Sequence, residues 1–74
     1  MSREDGKVRN RIRELRIERG WSQQDLADAV GASRQTINAI EQEKYSPSLE
    51  LAFRLARAFG EGFEGVFRYV RGDG

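Results

Sequence analysis

The sequence predicts an all-α domain, compact, with four to five helices, and three observations carry that expectation. Apolar residues recur at helical spacing along most of the chain: Val8, Ile12 and Leu15, then Leu26 and Val30, Ile37 and Ile40, and finally Leu49, Ala52, Phe53, Ala56 and Phe59. Residues that favour helix starts, or glycines that favour helix ends, stand at the borders of these runs. The stretch DLADAVGASRQTINAIE, residues 25–41, puts Gly31 in the middle of what otherwise reads as one amphipathic helix.

The elements follow in order. KVRNRIRELRIER, residues 7–19, reads as a first helix with one apolar stripe, closed by Gly20 as its C-cap. Ser22 caps the second helix, with Asp25 at the acidic position of a capping box, and Leu26, Ala29 and Val30 on one face. Ala27 keeps a small Cβ where two steeply crossing helices approach, and Gly31 can take the positive φ that a tight turn requires. Ser33 caps the third helix, whose Ile37 and Ile40 complete the shared apolar seam; residues 22–42 thus form a central helix-turn-helix. For the fourth helix, Pro47 either takes the first position behind a Ser46 cap or precedes a cap at Ser48. Its Leu51 and Leu55 widen the apolar surface enough for burial on two sides. After Gly60, GFEGVFRYV reads as a last helical turn or a short strand. The domain is expected over residues 7–70, with flexible ends at 1–6 and 71–74.

Composition narrows function by exclusion. A chain of 74 residues forms one small domain that buries about 60% of its unfolded surface. There is no cysteine and no histidine, so disulfides, Cys/His metal sites and imidazole catalysis are out, and no carboxylate cluster suggests an enzyme. The expectation is a non-enzyme without cofactor or metal. A cytoplasmic protein fits, since no apolar run approaches the roughly 20 residues that span a bilayer and MSREDGKVRN has no signal-peptide core. Charge is unevenly spread: residues 1–21 carry seven basic and four acidic side chains, 22–46 two and four, and 47–74 four and four. The basic weight in the first segment permits a phosphate-facing edge.

On the third helix, if Ile37 and Ile40 point inward, Gln35, Asn38, Ala39 and Gln42 fall on the opposite side at about 100° per residue, and Arg34 projects from the first turn. RELRIERGWSQQDLADAVGASRQTINAIEQEKYSPSLELAFRLARAFG, residues 13–60, resembles the Cro and phage-repressor class of helix-turn-helix transcriptional regulators, as its short stand-alone members. The resemblance rests on Ser22 and Gln23, Leu26 and Ala27, Gly31, Ser33, Ile37, Glu41 and the PSLELAFRLA segment. It implies a repressor-like DNA-binding fold whose third helix lies in the major groove of double-stranded DNA. Arg34, Gln35 and Asn38 are then the base readers, arginine suiting guanine and Gln or Asn suiting adenine. Gln23, Thr36, Lys44, Tyr45 and Ser46 match phosphate-contacting positions, Thr36 alternatively touching a thymine methyl, and Arg16 and Glu41 match a structural ion pair.

Glu43 departs from the family, which has glycine soon after the glutamate of the third helix. It implies either a left-handed residue or a longer third helix. The acids of the motif also lower the expected attraction to phosphate. Phe63, Phe67 and Tyr69 either close the core or form a two-fold interface, the latter suiting a homodimer on a palindromic operator. The leading function is a DNA-binding transcriptional regulator, a repressor. The alternative is an antitoxin-like or protein-interaction module using the C-terminal aromatic surface.

Overall fold

Three serines set where helices begin in the computed structural model, which describes residues 6–71. Ser22 Oγ accepts from the Asp25 amide at 2.9 Å while Asp25 Oδ2 accepts from the Ser22 amide at 2.9 Å, so the capping box forms and starts the helix Gln23–Val30. Ser33 Oγ accepts from the Thr36 amide at 3.1 Å ahead of the helix Arg34–Glu41. Ser48 Oγ accepts from the Leu51 amide at 3.1 Å ahead of the helix Leu49–Phe59. The cap is therefore Ser48, with Pro47 before it. A first helix, Ile12–Glu18, and a single-turn one, Phe63–Val66, complete the set, labelled α1 to α5 in chain order. Two strands flank them, β1 (Lys7–Asn10) and β2 (Phe67–Val70), and pair antiparallel.

The strand pair corrects the expected first helix, which was to begin at residue 7. Val8 suits both patterns, four residues from Ile12 on a helix or inward on a strand, and the partner that decides lies at the other end of the described chain. Asn10 ends the strand: its Oδ1 accepts from the Ile12 amide at 3.1 Å, and the Arg11 amide donates to Val66 O at 2.9 Å. The segment after Gly60 is both of the alternatives read from sequence, a helical turn and then a strand.

Inside, Ile12, Leu26, Ile37, Ile40, Leu55 and Val66 are fully enclosed. Two faces sit differently from the expected ones. On α2, Ala27 is buried and Ala29 exposed, because the helix presents Leu26, Ala27 and Val30 to the core. On α4, Ala52, Leu55, Ala56 and Phe59 are buried, whereas Leu49 and Phe53 are 67% and 51% exposed. Phe67 is 4% exposed and packs within the core. It is thus not the surface residue that an interface with Phe63 and Tyr69 would use. Trp21 stacks on Phe59 with ring centroids 5.4 Å apart and closes the core beside the start of α2.

The ends expected to be flexible, 1–6 and 71–74, lie outside the described residues except for Gly6 and Arg71. Gly6 packs so closely on Tyr69 that a Cβ there would collide with the ring. Among the described residues no helix is long and apolar enough to cross a membrane.

Gly31 has φ 72° and ψ 36°, the left-handed conformation expected of it. A Cβ at this position would meet only Arg54 Nη1, at 3.6 Å, so backbone conformation and not space requires glycine. Gly31→Ala is expected to cost about 1–2 kcal/mol. Urea unfolding would register this as a lower midpoint with an unchanged slope.

Candidate nucleic-acid interface

Helices α2 and α3 pack through Leu26, Val30, Ile37 and Ile40, and this fixes which side of α3 meets solvent. Arg34, Gln35, Asn38 and Gln42 are exposed, and Thr36 and Ala39 are half-buried. The Arg34 and Gln35 side chains have no hydrogen bond or ion pair among the described residues, so their donors and acceptors are open to a ligand. Thr36 Oγ1 shares a 2.9 Å hydrogen bond with Ser33 Oγ at the cap. Lys44, Tyr45 and Ser46 follow α3 in an exposed loop, Tyr45 with half of its surface in solvent.

A polar chain holds this face in register. Arg16 on α1 donates from Nε to Glu41 Oε2 at 2.7 Å and from Nη2 to Oε1 at 3.1 Å, and its Nη1 donates to Trp21 O at 2.9 Å. The pair is well enclosed, the two side chains being 12% and 3% exposed. Gln23 at the start of α2 places both protons of its amide on α3, one on Glu41 Oε1 and one on Asn38 Oδ1, each at 3.1 Å. Gln42 Nε2 donates to the same Asn38 oxygen at 3.1 Å. Asn38 is therefore locked with its oxygen turned toward Gln23 and Gln42, leaving Nδ2 without a hydrogen-bond partner among the described residues. Gln42 was legible on the helical wheel but was not among the expected site residues. What marks it is its spacing of four from Asn38.

Glu43 takes the first of its two alternatives. Helix α3 ends at Glu41, and Glu43 has φ 61°, the left-handed region in which glycine is usual. Its carboxylate explains why a side chain is kept there: it accepts from Arg9 Nε at 3.1 Å and from the Asn10 amide at 3.3 Å, and lies 3.5 Å from Lys7 Nζ. Asn10 Nδ2 adds a 2.9 Å bond to Ile40 O. These contacts latch β1 to the end of α3. Glu43 stands out in the sequence against the family pattern, but its role is not legible there, since its partners lie more than 30 positions away.

The latch also changes the charge balance of the motif. Two of its four carboxylates, Glu41 and Glu43, are matched by cations from β1 and α1, outside residues 22–46. Asp25 sits in the capping box, at the helix end where negative charge is favourable. Burial pushes the Glu43 carboxyl up, but the Arg9 hydrogen bond, the Asn10 amide and the charges of Arg9 and Lys7 outweigh it and hold the group below its ordinary value. A lowered carboxyl pKa contributes stability that is complete above the unfolded value, near 4.5, and is lost as pH falls through the folded value. Glu43→Gln is expected to cost up to about 1 kcal/mol at pH 7, with thermal melts of variant and parent converging as the pH falls below the ordinary carboxyl range and Glu43 takes up its proton.

A pair of short helices across a left-handed glycine, the second presenting unsatisfied polar side chains to solvent, defines a helix-turn-helix binding module. Known proteins agree. The sequence pattern of the helix-turn-helix family matches residues 12–66. An HTH-type transcriptional regulator of Methanothermobacter thermautotrophicus is 54% identical over 61 residues, covering 81% of this chain and 88% of its own. The cryptic phage CTXphi transcriptional repressor RstR of Vibrio cholerae is 37% identical over 51 residues, 69% of this chain and 46% of its own. Among solved structures, the restriction-modification controller protein C.AhdI of Aeromonas hydrophila superposes with a TM-score of 0.71 at 33% identity, over 74% of this chain and 83% of its own. The chain belongs to the helix-turn-helix family of the Cro and phage-repressor type, DNA-binding transcriptional regulators and not enzymes.

Proposed function

We propose that the chain is a repressor that occupies a palindromic operator in double-stranded DNA as a homodimer. Arg34, Gln35 and Asn38 meet base edges in the major groove, and Gln23, Thr36, Lys44, Tyr45 and Ser46 hold the flanking phosphates and set the register. The observation that carries this reading is the open hydrogen-bonding capacity on one face of α3: Arg34 and Gln35 unpartnered among the described residues, and Asn38 Nδ2 free beside them. Gln23 braces that face through Asn38, so its own phosphate contact comes from the amide backbone at the start of α2.

The two-fold symmetry has separate support. Leu49, Phe53, Phe63 and Tyr69 leave an apolar patch on the side formed by α4, α5 and β2, with Phe53 and Phe63 in ring contact at 5.4 Å. A second copy on that patch pairs two recognition helices for half-sites about 34 Å apart.

Selection of the full chain against a random duplex library at near-physiological salt tests the reading. A two-fold motif is the expected product, its spacing reporting the dimer. A single unrepeated half-site overturns the homodimer alone. No enrichment by folded protein overturns the DNA reading and leaves the aromatic patch as a protein-binding surface.

A further inference from the structure

The two strands lie outside the stretch that matches the family, yet they are docked on the end of its third helix. Residues directly opposite share a face of a strand pair, and alternate residues share it along each strand. The register therefore gathers Lys7, Arg9, Arg68 and Val70 on one face, and Val8, Asn10, Phe67 and Tyr69 on the other. The second face meets the core through Phe67 and Val8. The first carries three exposed cations.

That arrangement is unfavourable in isolation. Arg9 stands directly opposite Arg68, and like charges facing each other across a strand pair destabilise it. Glu43 offsets only one side, bonding Arg9 and Lys7. The Arg68 side chain has no hydrogen bond or ion pair among the described residues, and the nearby Glu64 makes none with it. The face thus lacks negative charge that a ligand could supply. Its position says which ligand: Glu43 stands two residues beyond the end of α3 and directly before the Lys44–Ser46 loop, so the cations flank the helix proposed to enter the groove.

We infer that Lys7, Arg9 and Arg68 form a second phosphate-binding surface, which extends contact with the duplex backbone beyond the helix-turn-helix without reading sequence. This rests on the DNA reading above. The phosphate backbone completes the charge balance that Glu43 leaves unfinished.

The test measures affinity of the full chain for its selected duplex from 50 to 200 mM salt, for the parent, Arg68→Gln and Lys7→Gln. Arg68 has no partner to orphan, and in Lys7→Gln the Glu43 carboxylate keeps Arg9, so both variants retain the fold, checked by thermal melting. Each lost phosphate contact is expected to reduce the slope of log affinity against log salt by about 0.9; a substitution in both subunits of the dimer removes two, so the slope falls by about 1.8 and the parent-to-variant affinity ratio changes about tenfold across this range. Base preference stays as in the parent. Unchanged slopes and affinities for both variants, with Arg34→Ala still weakening binding, overturn this surface and leave the DNA reading intact. A parent that binds no duplex overturns both.

Discussion

Arg16→Met is expected to cost the fold about 3–5 kcal/mol, because it strips a buried carboxylate of its cation. Glu41 is 3% exposed at its side chain and keeps only one Gln23 proton when Arg16 is gone. The total stability of so small a domain is of the order of 0.05–0.15 kcal/mol per residue, so the loss takes much of it. Arg16 also holds Trp21 O, so α1, the start of α2 and the end of α3 all loosen together. Urea unfolding at neutral pH measures the cost. The double variant Arg16→Met/Glu41→Leu separates the causes: removing the orphaned charge as well is expected to restore most of the stability. A single-variant cost below about 1 kcal/mol, as for an exposed pair, would mean that solvent reaches Glu41. The double variant also frees one proton of the Gln23 amide, the other staying on Asn38, so the tie between α2 and the exposed face of α3 is halved.

What the sequence made legible was mostly local. The caps at Ser22 and Ser33 are readable because a hydroxyl bonds an amide three residues on, and Gly31 because one residue alone must carry the turn. The strand pair was not readable, since Lys7–Asn10 finds its partner in Phe67–Val70 only after the helices have brought the two together. The aromatic positions divide for the same reason. Phe67 and Phe63 are both near the end of the chain, and only the turn of α5 decides that Phe67 enters the core while Phe63 stays 38% exposed. At the site, the outward face of α3 followed from the inward direction of Ile37 and Ile40. The charge balance did not, because the cations that match Glu41 and Glu43 come from segments far along the chain.

Arg34→Ala is expected to weaken binding to the selected operator by about 2–6 kcal/mol, one bidentate base contact of roughly 1–3 kcal/mol being lost from each half of a two-fold site. Preference at one base step per half-site should vanish with it. Arg34 is the cleanest such test, since no side-chain hydrogen bond or ion pair within the described chain is broken. An even loss across all sequences, with a shallower salt dependence, would instead assign Arg34 to phosphate. Asn38 needs a comparison, because its side chain touches both sides of the question. Its oxygen already accepts from Gln23 and Gln42, so in this arrangement it offers a base only the Nδ2 donor, and bidentate contact with adenine requires one of those glutamines to let go. Asn38→Ala removes donor and tether together, whereas Gln23→Ala leaves the donor and removes the ties from Gln23 to Asn38 and Glu41. If Asn38→Ala alters base preference while Gln23→Ala lowers affinity evenly, Asn38 reads sequence itself. If both shift preference in the same way, Asn38 acts by setting the angle of α3, and the reading falls to Arg34 and Gln35.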